Sequence, residues 1–436
     1  MNLPRPIAVL AMLVVVQSAR AQDPGGRITL SISGASASQP GLVVLAGRGI
    51  DSVRVIVQRD LTFSDRYTIA QLTDSVGTLK GPFNPVALLG LNYTWAVELQ
   101  PAINGVEVKL YDIATGAIRH QETRPADLTG VGDSRMTIHR ISDLIVSWTG
   151  GVGIAATRIA FKGKNGTDDG IWRIDSDGAN LVRVTRSSIT MSPAWSPDGG
   201  TIAYSEHRDD GRWHLFLQKL ATGTRTELTS TALGDSYGGN FSPDGRAMVF
   251  SHSLPGGGTG IETVDVKQNC CAHLLTADRR LADNVSPSYS HDGRHIAYIS
   301  SRTGTTQVYV MDEDGSSQEQ LVATHFTDAG RPLDANSPAW SPDGTRIAFA
   351  RDTDHGFRQV FTASVTGGSL NQLTNLSQNE DPSWALDSRH IVFKSKRSGR
   401  EQLWILDIES GISRQLTNVA GEARFPAWSR SLGTNP

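Results

Sequence analysis

Cysteine is nearly absent from this 436-residue chain, which carries two residues of it side by side, Cys270 and Cys271. Adjacent cysteines rarely bridge, because disulfide geometry fits poorly across one peptide unit. A disulfide-stapled scaffold and a multi-cysteine zinc site are therefore both excluded. Charge of one sign is also lacking: 41 Lys and Arg stand against 44 Asp and Glu, with no block of like charge. Nothing in that balance points to nucleic acid or to an anionic membrane surface as a partner. No apolar run approaches the roughly 20 residues that a membrane-crossing helix needs. Aromatic residues are few, at 7%, whereas glycine is abundant, at 44 residues, beside an apolar fraction of 38%. That mixture favours short strands and tight turns over helical bundles, and the length allows two or three packed domains.

Residues 1–21 have a basic start at Arg5, an apolar run from Ile7 to Val16 and a small-x-small close at Ala19-Arg20-Ala21. This is the pattern of a cleavable signal peptide, too short in its apolar core to span a bilayer. Its removal takes away Arg5 and Arg20 and no acid, moving the formal net charge from -3 to -5. The mature protein is expected to be secreted, with no lipid anchor signalled at its new N-terminus.

One phrase recurs through the last two thirds. It reads Ser192-Pro-Ala-Trp195-Ser-Pro-Asp198-Gly199, and returns around Phe241, Tyr289, Trp340, Trp384 and Trp428, at spacings of 46, 48, 51, 44 and 44 residues. This period suits a propeller blade. Each anchor is followed by a turn such as Pro-Asp-Gly, then by apolar strands such as Ile296-Ala-Tyr298 and Val308-Tyr-Val-Met311, and many units close on Leu-Thr, as at Leu275-Thr276 and Leu416-Thr417. Four strands per unit make one blade. Five anchors open complete units. Three strands at Arg158–Phe161, Ile171–Ile174 and Leu181–Thr185 lack an anchor, and Pro426-Ala-Trp428 is an anchor with nothing after it. Joining the two fragments gives a sixth blade and closes the ring, which removes two exposed sheet edges.

Residues 22–150 have a different character, with strand-like segments at Arg27–Ile32, Leu42–Leu45, Tyr93–Val97 and Val106–Tyr111. Helical spacing appears at Val53, Ile56, Val57 and Leu61, and again at Ile138, Ile141, Leu144, Ile145 and Trp148. The predicted fold is mainly β: a small α/β domain over 22–150, then a six-bladed propeller over 151–436 closed by the C-terminal strand.

The Ser-Pro-Ala-Trp-Ser-Pro-Asp-Gly phrase followed by Ile-Ala-Tyr or Ile-Ala-Phe resembles the repeat of TolB-type propellers. The junction His139-Arg-Ile-Ser142-Asp143, Thr149-Gly150, Gly153 and Thr157-Arg-Ile-Ala-Phe161 is similar to the segment joining the N-terminal domain of that family to its first blade. Val53–Ser64 and Lys109–Gly116 resemble further parts of that domain. The likeness covers nearly the whole mature chain, strongly from about 137 to 429. Its first strands depart most, with Leu42-Val-Val-Leu-Ala-Gly where the family carries an apolar run ending in Pro-Phe. The resemblance implies a periplasmic, monomeric, non-enzymatic component of the Tol-Pal system, which supports outer-membrane integrity and envelope constriction at division. It implies a Pal-like lipoprotein bound at a mouth of the propeller channel and a TolA-like protein at the mature N-terminus. The N-terminal candidates are Gln22, Arg27, Ile28, Leu30 and Ile32. The loops before the anchors converge on one opening and supply Thr190, Met191, Asp235, Tyr237, Asn284, Val285, Ala335, Asn336, Asn379, Glu380 and Arg424 as partner-binding candidates.

The runner-up is a secreted propeller enzyme, a polysaccharide lyase or hydrolase. Gly234-Asp-Ser236-Tyr-Gly238 fits the nucleophile elbow G-x-S-x-G, but the next blade follows at once where a helix is required. Of the eleven histidines only His291 and His295 stand four apart, and they flank a repeat turn in place of a helix, so no metalloprotease motif forms. Acidic mouth residues such as Asp235 and Glu380 offer at most a structural site for a hard cation such as Ca²⁺. No catalytic residue, metal or cofactor is expected.

Overall fold

A computed structural model describes residues 39–430 and 432, apart from 73–76, 80–82, 92, 127, 129–132, 229–233 and 277–281. The signal sequence and the candidates Gln22, Arg27, Ile28, Leu30 and Ile32 lie outside the described residues. Among those described, no helix is long and apolar enough to cross a membrane.

The first layers form a five-stranded sheet under two helices. Strand β1 (Gly41–Ala46) lies parallel to β2 (Thr68–Ile69) on one side and to β3 (Trp95–Ala102) on the other; β4 (Gly105–Asp112) and β5 (Ile118–Pro125) continue antiparallel. All six residues of β1 are buried, since both of its faces are covered. Leu42, Val44 and Ala46 point to helices α1 (Asp51–Phe63) and α2 (Ser134–Trp148), and meet Val53, Val57, Leu61, Ile138, Ile141 and Ile145 there. Both helices therefore bury the faces that the 3.6-residue spacing marks. Strand β5 is exposed along nearly its whole length, so it has no apolar alternation for a sequence reading to find.

Six four-stranded antiparallel sheets follow. The inner strands are β9 (Thr190–Trp195), β13 (Ser236–Phe241), β17 (Asn284–Tyr289), β21 (Ala335–Trp340), β25 (Asn379–Trp384) and β29 (Ala423–Trp428). The last of these pairs with β6 (Arg158–Asn165), in a sheet of order β29-β6-β7-β8 that also holds β7 (Asp168–Asp175) and β8 (Val182–Arg183). This is the composite sixth blade. Its closure is reinforced by side chains: the Trp428 indole donates to Thr157 Oγ1 at 2.7 Å, and Ser429 Oγ accepts from the Arg158 backbone at 2.9 Å.

The recurring residues have local jobs. In the turns, Ser242 and Ser290 donate to Asp244 and Asp292, both at 2.6 Å. The Leu-Thr ending is explained by a hydroxyl that accepts a third-strand N–H, as Thr276 does for Ile261, Thr374 for Val360 and Thr417 for Leu403, each at 2.9 Å. The cysteines depart from expectation, for Cys270 and Cys271 are disulfide-bonded to each other. At that point β15 (Thr259–Asp265) and β16 (Cys270–Leu274) slip register and Cys271 turns to φ +64°, a local deformation that sequence spacing does not announce.

Candidate functional site

Every inner strand carries the same irregularity at its third residue. Ser192, Gly238, Ser286, Ser337, Asp381 and Phe425 all have φ between +50° and +68°, and the register with the second strand shifts there in every blade. Such a bulge bends the strand and re-aims the residues on either side of it. Each inner strand also touches the next around the ring. Their ends consequently surround one channel, whose cavity of about 330 Å³ starts at these bulge residues and is lined by all six copies of the repeat.

The sequence-predicted mouth residues sit just outside that cavity, and all but Asp235, which precedes β13, are the first or second residues of the inner strands where loops were expected. Their burial divides them. Thr190, Asn284, Ala335 and Asn379 are buried, while Met191, Tyr237, Val285, Asn336 and Arg424 are half-buried. Asp235 is committed to the fold, since its carboxylate accepts from the Trp213 backbone at 2.8 Å. Glu380 is buried and ion-paired with Lys394, and it also accepts from Gln378 at 2.8 Å. Burial works against its charge, but the hydrogen bonds from Lys394 and Gln378 outweigh this and hold it below the usual carboxylate range. Both oxygens of Glu380 are thereby engaged. Arg424 pairs with Glu401 and Glu422. The mouth thus has an apolar arc over the first three blades, Met191, Tyr237 and Val285, facing a charged arc over the last two.

Asp381 is the exception among the bulge residues. Burial raises its pKa, against the pull of Lys394 at 3.9 Å, and its Oδ2 has no hydrogen-bond partner.

The enzyme reading meets a specific obstacle. Ser236 Oγ lies 3.0 Å from His252 Nδ1, yet both residues are buried and His252 Nε2 has no hydrogen-bond partner to orient the ring. A triad needs that third group. Ser236 also begins a propeller strand, with no helix behind it.

A second polar constellation, unforeseen from sequence, joins the helical layer to the propeller. His139 and Ser142 both donate to Asp60 at 2.7 Å, and His139 Nε2 stands 3.5 Å from Asp177, which also receives Arg59 and Arg135. Beside them, His390 bridges Asp387 at 2.7 Å and Asp65 at 3.1 Å, and Arg389 holds Asp407. Burial penalises the Asp407 charge, but the Arg389 hydrogen bond outweighs it and brings its pKa to about 2. Both groups have the residue types of a cation site. Arg59 and Arg135 pair with Asp177 and Arg389 with Asp407, while the Asp60 and Asp65 carboxylates are held by His139, Ser142 and His390, so both groups act as interlayer clamps. Partners as far apart in sequence as Asp65 and His390 leave no spacing signal.

Comparison with known proteins agrees with the ring. The TolB beta propeller domain (PD40) family matches residues 147–432. The chain belongs to the TolB beta propeller family. It is 26% identical to the Tol-Pal system protein TolB of Bordetella parapertussis, over 97% of this chain and 93% of that one. It is 28% identical to a protein TolB homolog of Protochlamydia amoebophila, over 67% of this chain and 66% of that one. The crystal structure of TolB from Acinetobacter baumannii superposes with a TM-score of 0.77 at 25% identity, covering 90% of this chain and 97% of its own.

Proposed function

We propose that this protein is the periplasmic, non-enzymatic TolB-type component of a Tol-Pal system. In this reading the channel mouth binds a Pal-like peptidoglycan-associated lipoprotein, and residues 22–33 contact a TolA-like inner-membrane protein. Such contacts support outer-membrane integrity and envelope constriction during division. The observation that carries the reading is the mouth itself: a half-buried apolar arc of Met191, Tyr237 and Val285 beside the Glu380–Arg424 arc, over a cavity to which all six blades contribute. An apolar anchor region with charged surroundings is the composition of a protein-binding hot spot. The relatives that carry the TolB name span both regions of the chain.

The mature protein, used as bait in detergent-solubilised envelope extract, should recover an outer-membrane lipoprotein with a peptidoglycan-binding domain. A Tyr237→Ala, Val285→Asp variant should lose it. Failure to recover the lipoprotein, together with cleavage of glycans by the purified protein, would reverse the reading in favour of a secreted propeller enzyme.

A further inference from the structure

The repeat provides an internal control on how each blade meets the next, and one seam fails it. In the turn after the anchor, a Cβ placed on Gly245 or Gly293 would touch the ring of Pro197 or Pro243 in the preceding blade at 3.4 Å, whereas one on Gly344 would meet nothing within 4 Å. The missing neighbour has a cause in the sequence, because the third blade carries His291 where Pro197, Pro243 and Pro342 stand in blades one, two and four. The anchor tryptophans tell the same story. Trp195, Trp384 and Trp428 are buried and donate their indole N–H to Ala427, Ala339 and Thr157. Trp340 is only half-buried, and its Nε1 has no partner.

Between blades three and four the result is a groove of about 750 Å³. Its floor is a stacked pair, His295 over Trp340, with ring centroids 6.2 Å apart and planes within 29°. Val310 and Leu321 add apolar wall, while Asp292, Asp312, Glu319 and Asp343 bring carboxylates to the lining. Asp292 and Asp343 each use Oδ1 inside their own turns, accepting from Ser290 and Ser341. His295 Nε2 stands 3.6 Å from Asp312, and Arg346 3.6 Å from Asp343. The groove therefore presents carboxylate acceptors, a partly exposed imidazole and aromatic surface together. An ammonium group could answer the carboxylates and the aromatic faces but accepts no hydrogen bond from an imidazole N–H. A hydroxyl both donates and accepts, and a pyranose ring adds an apolar C–H face for the aromatic pair. Four acids disfavour an anion.

We propose that the seam between the third and fourth blades is a saccharide-binding site, on the opposite end of the ring from the mouth residues. It is independent of the lipoprotein reading. The test uses full-length mature protein labelled with ¹⁵N at tryptophan, and follows the indole resonances by NMR. The Trp340 signal is assigned by its loss in Trp340→Phe. Two neutral probes, a trimer of N-acetylglucosamine and maltotriose, are titrated to tens of millimolar. The Trp340 signal should shift and saturate while those of Trp195, Trp384 and Trp428 stay in place. Response to the first sugar alone assigns an acetamido glycan strand, and response to the second as well assigns a general oligosaccharide. His291→Pro restores the residue of the other turns and should abolish the shift with an unchanged melting temperature. Asp312→Asn with Glu319→Gln should weaken binding about 3- to 10-fold, the loss of one or two hydrogen bonds. A Trp340 signal unmoved by both sugars, a shift that survives His291→Pro, or a response to spermidine in place of sugar would overturn the proposal.

Discussion

The helical layer and the propeller are held together by opposite strategies. In the propeller the same small contacts recur blade after blade: Ser to Asp in the turn, Thr to the third strand, anchor indole to the preceding blade. In the helical layer and its junction each polar contact occurs once, as with Asp60 between His139 and Ser142 or His390 between Asp387 and Asp65. Repetition spreads stability over interchangeable units, so loss of one copy is tolerated unless it opens the ring. A single buried contact has no substitute.

The largest effect should come from breaking the ring. Deleting residues 424–436 removes most of β29, including Trp428, and exposes the edge of β6. Stability should fall by more than about 4 kcal/mol, the cost of a buried aromatic alone before the edge is counted. A melting temperature equal to that of the intact chain would contradict closure.

Next should come Asp60→Ala, which leaves His139 and Ser142 buried without their acceptor. A loss of about 3 kcal/mol is expected in urea denaturation. Thr374→Val in the propeller removes one of the repeated hydroxyls and should cost about 1 kcal/mol. Equal losses would erase the distinction between the two regions.

The pH dependence of the clamp is a smaller effect than that of Asp60. Burial disfavours the His390 imidazolium, but hydrogen bonds to Asp387 and Asp65 outweigh it and raise its pKa above 6.5. A raised imidazole stabilises the fold in full below its unfolded value and loses that contribution as pH rises through its folded value. Wild type should therefore lose roughly 1 kcal/mol more than His390→Gln when urea midpoints are compared at pH 6 and pH 8.5. Parallel profiles would remove His390 from the clamp's energetics.

The same contrast governs what could be read from the sequence. Blade number, the composite sixth blade and the anchor turns were legible because six imperfect copies correct one another. The helices were legible because each buries one face, as Val53, Val57 and Leu61 do. Strand β5 was not, since exposure removes its alternation, and β2 is only two residues long. The left-handed bulge was hidden by its own variety, with Ser, Gly, Asp and Phe sharing one backbone conformation. At the mouth, sequence assigned the residues to loops before the anchors, whereas all but Asp235 begin the inner strands, and it could not separate Asp235, tied to the Trp213 backbone, from Tyr237, which is half-buried at the opening. The clamp was invisible, because its partners meet only after the ring has formed.

The most direct test of the channel mouth is calorimetric titration of the mature protein with the soluble domain of the Pal-like lipoprotein encoded by the same cell. Wild type should bind, Met191→Asp with Tyr237→Ala should weaken binding at least about 10-fold, and His291→Pro at the far end of the ring should leave affinity unchanged. Full affinity in the mouth variant would contradict the account.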